Sequence, residues 1–188
     1  MGILNIIGTK KFTFIEIGVQ DSIECNSTNL LLNLNWKGAQ FEGCKESYED
    51  GKKFFQEKNI KNNQCQLLNK FITAENVNSL IQKTKIIGEI DFFSLDIDGN
   101  DYWVWKNVSI IKPRLVVLEY NSSFDKYDPL TIPYNPQFIW NNKEEQRFFY
   151  GASLKALEKL SEKKGYNLVC VDSKGINAFF VRKDLMKN

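Results

Sequence analysis

Short apolar runs alternate with amphipathic segments along most of this chain of 188 residues. The runs predict strands at 12–18, 39–42, 65–72, 90–96 and 115–119. The segments between them have the apolar spacing of helices. These predicted helices are 27–35, 46–58, a stretch that contains Val77, Leu80 and Ile81, and 101–109. Because the apolar runs are continuous, they predict a parallel sheet that helices cover on both faces.

The C-terminal part of the chain predicts a change of strand direction. A helix at 153–164 has Ser153 as its N-cap and Gly165 at its end. Two further strands, 167–171 and 178–182, are joined by a short turn and therefore predict an antiparallel hairpin. The predicted fold is a doubly wound α/β domain with a mostly parallel, seven-stranded sheet and an antiparallel C-terminal hairpin.

Residues 122–150 show neither a helical nor a strand period. The segment contains three prolines and many aromatic residues. A loop of this length in a compact domain is usually functional or disordered, and the aromatic content favours order. We predict one domain over residues 1–188, with 122–150 as a lid inserted over the ligand site.

The composition narrows the possible chemistry. Histidine is absent, which excludes Ser-His-Asp and Cys-His catalysis and histidine-ligated zinc. The four cysteines form no Cys-x-x-Cys pair. A net charge of +2 indicates neither a nucleic-acid partner nor a membrane surface, and no apolar run approaches the length of a membrane span. The N-terminus lacks the pattern of a secretory signal, so we expect a cytoplasmic protein.

Acidic residues follow several of the predicted strands. The first strand is followed by Gly18 and Asp21, with Glu16 near its end, and it lacks the glycine-rich pattern that binds a pyrophosphate. Such a loop suits a ligand with hydroxyl groups and a positive charge. Glu42 and Gly43 follow the second strand, where a carboxylate can bind both hydroxyls of a ribose or can be an exposed strand-end charge.

A second acidic stretch follows the fourth strand. Asp96 and Asp98, together with Glu119 and Asn121 after the fifth strand, could form an oxygen-only site for Mg²⁺ or Mn²⁺. In the alternative interpretation, Asp101 caps the next helix while Asp96 and Asp98 bind an amino group or orient a substrate.

These motifs, taken in order, resemble those of class I S-adenosylmethionine-dependent methyltransferases, and more narrowly the FkbM-type bacterial enzymes associated with glycan and natural-product genes. The resemblance extends over about residues 12–184, and its motifs are Glu16-Ile17-Gly18, Glu42-Gly43, residues 95–102, residues 117–121 and the tail at 175–182. It implies a Rossmann-like sheet of seven strands whose last strand is antiparallel.

The resemblance also implies roles for individual residues. Glu16, Gly18 and Asp21 would contact the methionine part of S-adenosylmethionine, and Glu42 with Gly43 would bind the ribose. Glu75 or Asn76 would lie beside the adenine, and Asp96 beneath the methyl group. The family has two or three glycines after the first strand, whereas Gly18 is followed here by residues 19–22 without glycine, which predicts weaker cofactor binding.

The expected activity is O-methylation of a sugar or small-metabolite hydroxyl in capsule, other surface-glycan or natural-product biosynthesis. The proton of the acceptor hydroxyl would be handled by Asp98, or by a divalent ion that binds the acceptor oxygen at Asp96, Glu119 and Asn121. The acceptor would contact four residues in or near the lid: Asn121, Tyr134, Trp140 and Arg147. We further expect an open cofactor site or a homodimer whose partner covers it. The alternatives are another nucleotide-binding α/β enzyme and a non-catalytic binding module with the same fold.

Overall fold

Seven strands form a single mixed sheet in the computed structural model, which describes residues 2–125, 127–141, 143–144 and 147–186. The strands are β1 (Thr13–Ile17), β2 (Lys37–Glu42), β3 (Cys65–Asn69), β4 (Gly88–Leu95), β5 (Ile111–Glu119), β6 (Tyr166–Val171) and β7 (Asn177–Arg182). The helices are α1 (Gly2–Ile7), α2 (Thr28–Leu34), α3 (Lys45–Glu57), α4 (Val77–Thr84), α5 (Asp101–Asn107) and α6 (Leu154–Lys163). A short 3₁₀ turn, Lys183–Leu185, follows β7.

The strand order is β3-β2-β1-β4-β5-β7-β6, and β7 runs in the direction opposite to the other six strands. The predicted fold class, including the C-terminal hairpin, is therefore confirmed. The chain passes outward from β1 to β3 and then crosses to β4 on the other side of β1. Strands β1 and β4 thus mark the point where the winding direction reverses, which is where doubly wound sheets bind ligands.

Helices cover both faces of the sheet, as the continuous apolar runs predict. On one face α1, α2 and α3 pack against Phe14, Phe92 and Leu115. On the other face α4, α5 and α6 pack against Ile15 and Phe93, which directly follow Phe14 and Phe92 in sequence. This alternation follows from the two-residue period of a strand. None of the helices in the described part of the chain is long and apolar enough to cross a lipid bilayer.

Strand β5 begins earlier than predicted. The prediction places Pro113 before the strand, whereas the structure pairs Pro113 with Ile90 of β4. The residues of β5 that pair with β7 begin at Leu115, so Pro113 lies where β5 has a neighbour on one side only. A residue without an N–H group is tolerated at such a position, and its presence does not mark the strand boundary.

The described parts of the lid segment (residues 122–150) are attached to the body by backbone groups. Thr131 forms a bridge with Ala152, and the indole of Trp103 donates a hydrogen bond to the carbonyl of Ile132 at 2.9 Å. Ser153 links the segment to α6, because its hydroxyl donates to Asp128 O at 2.6 Å and accepts from Leu130 N at 3.0 Å and Ala156 N at 3.1 Å. The predicted N-cap of α6 is therefore confirmed, and it also anchors the lid segment.

Replacing Ser153 with alanine tests this double role. The variant loses a helix cap and two part-buried hydrogen bonds to the lid segment, so we expect the free energy of unfolding to fall by about 1–3 kcal/mol. Urea denaturation followed by circular dichroism measures the loss. Ser79→Ala, at an exposed helical serine, is the control and should change stability by less than about 0.5 kcal/mol. Equal stability of the two variants would contradict the assignment.

Candidate functional site

The carboxyl ends of β1 and β4 touch at the reversal point of the sheet. Gly18 N donates to Phe41 O of β2 at 2.9 Å, and Asp96 N donates to Ile17 O at 3.0 Å. Gly18 has φ +82°, and a Cβ atom at this position would collide with the carbonyl oxygen of Asp96. Both the conformation and the space therefore require glycine at residue 18.

A cavity of about 680 Å³ opens above this junction. Its volume is in the range of pockets that bind small molecules and cofactors. Of the predicted site residues, those that line it are Glu16, Gly18, Asp21, Glu42, Gly43, Asp96, Asp98 and Trp140. The structure thus brings the predicted tips of β1, β2 and β4 together around one space.

Glu42 is held at the cavity wall by the two loops beside it. Its Oε2 accepts from Gln20 N at 2.7 Å, and its Oε1 accepts from Cys44 N at 2.7 Å. The carboxylate is buried, and each oxygen keeps further acceptor capacity. Glu42 therefore fixes the loops after β1 and β2 and presents an acceptor pair that suits a vicinal diol.

Glu16 lines the cavity, but both of its oxygens are used by the protein. They accept from Asn26 N at 2.8 Å and from Ser27 N at 2.7 Å, at the start of α2. Burial raises the pKa of Glu16, against the lowering effect of these hydrogen bonds. Glu16 thus shapes the β1–α2 loop. Asp21 accepts from Ile23 N at 3.0 Å in the same loop.

The wall near β3 includes three residues that the sequence prediction missed: Lys70, Phe71 and Ile72. The predicted strand 65–72 is too long, because β3 ends at Asn69 and these residues form the following loop. Phe71 is 45% exposed and lies against Gly43, where an added Cβ would be 3.1 Å from its ring. The available signal was an aromatic residue near the carboxyl end of the predicted strand.

Glu75 and Asn76 are not among the described residues that line the cavity, contrary to the expected place beside the adenine. The hydroxyl of Tyr134 donates to Glu75 Oε2 at 2.5 Å and accepts from Ala74 N at 3.2 Å. Asn76 binds the backbone of Thr73 and Phe71. These side chains attach the lid segment and shape the loop before α4, because their partners lie in those loops.

Asp96, Asp98 and Glu119, here called the acid cluster, lie at the tips of β4 and β5. One carboxylate oxygen from each residue lies within 4.8 Å of the other two. Asp98 has φ +51°, a conformation that aspartate and asparagine adopt more readily than most residues. The predicted meeting of these three acids is therefore present in the structure.

Burial and mutual repulsion control the protonation of the acid cluster. Burial, followed by the negative charges of Asp101 and Asp98, raises the pKa of Asp96 to about 7. Burial and the negative charge of Asp96 raise the pKa of Glu119 to about 11. Burial also raises the pKa of Asp98. At neutral pH Glu119 is consequently the protonated member, and the other two members, Asp96 and Asp98, line the cavity.

Asp101 and Asn121 have structural partners that the sequence did not reveal. Asp101 is buried and accepts from Ile97 N at 2.9 Å and Gly99 N at 3.0 Å, which folds the β4–α5 loop. The amide of Asn121 donates to Phe148 O at 2.8 Å and Tyr150 O at 3.0 Å and accepts from Ser123 N at 2.9 Å. Asn121 therefore anchors the end of the lid segment, which conflicts with its predicted role as a metal ligand or acceptor contact.

The lid segment contributes Phe138, Ile139 and Trp140 to the cavity wall. The ring of Phe138 lies against Gly99, where an added Cβ would be 2.6 Å from it. The Trp140 indole donates to Arg147 O at 3.3 Å. The Arg147 guanidinium is exposed, lies 5.6 Å from the centre of the Phe148 ring and is not among the cavity residues. Trp140 thus reaches the expected place, whereas Tyr134 and Arg147 do not.

This sheet order and the cavity position define a fold shared with S-adenosylmethionine-dependent methyltransferases. One solved structure with this fold is an S-adenosylmethionine-dependent methyltransferase from Clostridium acetobutylicum, with a TM-score of 0.60 and 13% identity over 96% of this chain and 88% of the other. No family model and no curated protein sequence matches the chain. At this identity the likeness shows the fold.

Two further structures of this fold contain a cofactor or its product. Magnesium protoporphyrin IX methyltransferase from Synechocystis, with bound S-adenosylmethionine, has a TM-score of 0.54 and 11% identity, over 96% of this chain and 73% of the other. An O-methyltransferase from Bacillus cereus, in complex with S-adenosylhomocysteine, has a TM-score of 0.50 and 14% identity, over 95% of this chain and 75% of the other.

The protonation of Glu119 makes a prediction for Glu119→Gln. The folded-state pKa of about 11 lies above the ordinary 4.5, so Glu119 stabilises the fold fully below pH 4.5 and loses this contribution as the pH rises toward 11. A difference of one bound proton changes the free energy of unfolding by about 1.4 kcal/mol per pH unit. This change shifts the melting temperature by at most about 3–6 °C per pH unit. Between pH 5 and 9, the melting temperature of the wild type should fall, and that of Glu119→Gln should fall less.

Thermal unfolding followed by circular dichroism at several pH values measures this difference. Glu49→Gln, at an exposed residue of α3 that pairs with Lys52, is the control and should follow the wild-type pH dependence. If Glu119→Gln and the wild type show the same slope, Glu119 is not held in the protonated state.

Proposed function

We propose that this protein is an S-adenosylmethionine-dependent methyltransferase that methylates a hydroxyl group of a small molecule. The observation that carries the proposal is the cavity at the β1–β4 junction, with Gly18 against the backbone of Asp96 and the Glu42 carboxylate on the adjoining wall. Methyltransferases of this fold contain S-adenosylmethionine or S-adenosylhomocysteine in solved structures, which supports the proposal.

The cavity residues fit the chemical groups of S-adenosylmethionine. Glu42 keeps acceptor capacity for the two ribose hydroxyls, and Phe71 with Ile72 offers an apolar wall for the adenine. The β1–α2 loop around Gly18 and Asp21 would receive the methionine part. The carboxylate of Asp98, on the same cavity wall, suits the positive charge of the sulfonium.

When bound, S-adenosylmethionine supplies an electrophilic methyl group on a sulfonium. The acceptor oxygen forms a bond to this methyl carbon as the carbon–sulfur bond breaks, and the hydroxyl proton must move to a base. We propose that Asp98 accepts this proton, because Asp98 lines the cavity and burial raises the pKa of its carboxyl group. Glu119 is already protonated at neutral pH, so its assigned role is to donate a hydrogen bond to Asp96.

We propose a sugar or another small hydroxyl compound as the acceptor, in surface-glycan or natural-product biosynthesis. The motif resemblance to FkbM-type enzymes supports this context. The walls formed by Phe138 and Trp140 suit the flat apolar face of a sugar or an aromatic ring. The exposed position of Arg147 argues against its assignment as a phosphate or carboxylate contact of the acceptor.

Two kinds of cation fit the acid cluster. A Mg²⁺ or Mn²⁺ ion needs several oxygen ligands around one point, and the spacing of 4.8 Å or less between the three carboxylates meets this requirement. It would lower the pKa of a bound acceptor hydroxyl. A positively charged group of the acceptor is the second kind of cation.

Calorimetry tests the cofactor directly. We expect S-adenosylmethionine and S-adenosylhomocysteine to bind, and Glu42→Gln to weaken binding about 10- to 100-fold because the amide replaces an anionic acceptor of the ribose hydroxyls. The control Glu49→Gln should bind like the wild type. If neither compound binds at millimolar concentration to the folded wild type, the proposed function is wrong.

A chelator separates the two kinds of cation. If a divalent ion is required, EDTA should abolish methyl transfer from labelled S-adenosylmethionine, and Mg²⁺ or Mn²⁺ should restore it. If Asp98 acts directly as the base, EDTA should leave the rate unchanged, whereas Asp98→Asn should lower it at least about 100-fold. The substrate in this assay is a small hydroxyl compound that binds to the protein in calorimetry.

A further inference from the structure

Two buried side chains next to the cavity have oxygen atoms without hydrogen-bond partners among the described residues. They are Glu119 Oε2 and Asn100 Oδ1, on residues that are 7% and 3% exposed. A third such atom, Asn177 Oδ1, lies on β7 opposite Glu119 in the strand register. A buried polar atom without a partner costs about 1–3 kcal/mol, so a ligand that reaches these three atoms gains by forming hydrogen bonds with them.

All three atoms are hydrogen-bond acceptors. The amide nitrogen of Asn100 is already used, because it donates to Asn135 O at 2.8 Å, and that of Asn177 donates to Asp172 Oδ2 at 3.1 Å. A ligand that binds at these atoms is therefore one that donates hydrogen bonds. Asn100 and Asn177 both line the cavity, so a ligand there can reach this region.

The charges around this end of the cavity favour a cationic donor. The acid cluster supplies Asp96 and Asp98, and among the described residues of the cavity wall Lys70 is the only basic one. Lys70 lies on the opposite side, in the loop after β3. An anionic group at the acid cluster would meet carboxylates without a neutralising side chain, which is unfavourable in a partly buried site.

We propose that the acceptor substrate carries a protonated amine that binds at the acid cluster. This inference rests on the proposed function, and it narrows the acceptor to an amine-bearing small molecule. An ammonium group has three N–H donors, which match the acceptors on Asn100, Glu119 and the carboxylate of Asp98. The hydroxyl that receives the methyl group would belong to the same molecule.

The lid segment supplies the contact surface for the rest of this molecule. Phe138 and Trp140 are paired with Phe149 and Tyr150, with ring centres 6.3 Å and 6.2 Å apart. Ile139 between them is 71% exposed. A ring that packs on this wall would place an amine substituent toward the β4–α5 loop, because Phe138 itself lies on Gly99 of that loop.

A matched set of three phenols tests the inference. Tyramine, tyrosol and 4-hydroxyphenylacetate share one ring and differ in a cationic, neutral or anionic substituent. Each is titrated by calorimetry into wild-type protein saturated with S-adenosylhomocysteine. We expect tyramine to bind about 10- to 100-fold more tightly than tyrosol and 4-hydroxyphenylacetate to give no binding. Glucosamine and glucose form a second pair, and the same preference for the amine should appear if a sugar ring is the better fit.

Two variants locate the preference for the amine. Asp98→Asn keeps a side chain that accepts a positive φ, and it should reduce the ratio of tyramine to tyrosol affinity to about threefold or less. Glu24→Gln removes the same charge from an exposed cavity residue in the β1–α2 loop and should leave the ratio unchanged. The ligand comparison on the wild type does not depend on whether Asp98→Asn folds.

Several results would overturn the inference. They are equal affinity for the amine and hydroxyl members of both pairs, tighter binding of the anion, or no binding of any of these amines. Binding of MgCl2 alone that is lost in Asp98→Asn, together with no binding of tyramine, would assign the cluster to a divalent ion instead. Binding of S-adenosylhomocysteine is measured first, and if it does not bind, the proposed function is wrong. If it binds but neither pair of compounds shows a preference for the amine, only this inference is wrong.

Discussion

The close approach of the β1–α2 loop to the end of β4 is the constraint on which the site depends. At Gly18 the chain leaves β1 in a conformation that needs glycine and passes directly over the carbonyl of Asp96. This contact brings two segments that are about 80 residues apart in sequence to one edge of the sheet. The Glu42 carboxylate then holds the loop from the other side by accepting from Gln20 N, so contacts within the protein define the floor of the cavity.

The acid cluster differs from this junction, because the described residues do not supply a hydrogen-bond partner for every one of its oxygen atoms. Burial and neighbouring charges raise the pKa values of Asp96 and Glu119, and Glu119 Oε2 has no partner in the described structure. A fold that keeps such groups gives up stability there, which is typical of functional sites. Hydrogen bonds within the protein therefore fix the cavity wall at Glu42, whereas the acid cluster keeps an acceptor atom without a partner among the described residues.

The mostly parallel seven-stranded sheet, the hairpin and the group of acidic strand ends could all be predicted from the sequence, because the apolar runs and the α/β alternation determine which residues reach one edge. The roles of individual polar residues could not. Glu16 and Asn121 were predicted to bind ligands, but they bind backbone N–H or carbonyl groups of nearby loops. Those partners depend on the path of each loop in three dimensions, and no local sequence pattern encodes that path. Phe71 was missed for the same reason, because the end of β3 was placed three residues too late.

The attachment of the lid segment has a consequence for how such a chain can diversify. Asn100 binds the carbonyl of Asn135, Trp103 binds that of Ile132, and Gly99 accepts from Gly151 N. The base of the lid segment is thus joined through its backbone to the β4–α5 loop and the first turn of α5, next to Asp96 and Asp98. Because every residue has a carbonyl oxygen, the lid residues at these contacts can be substituted while the hydrogen bonds persist. The ligand preference of the cavity can therefore change by substitution along the lid, while exchange of residues 99–103 would disturb both the lid and the acidic site together.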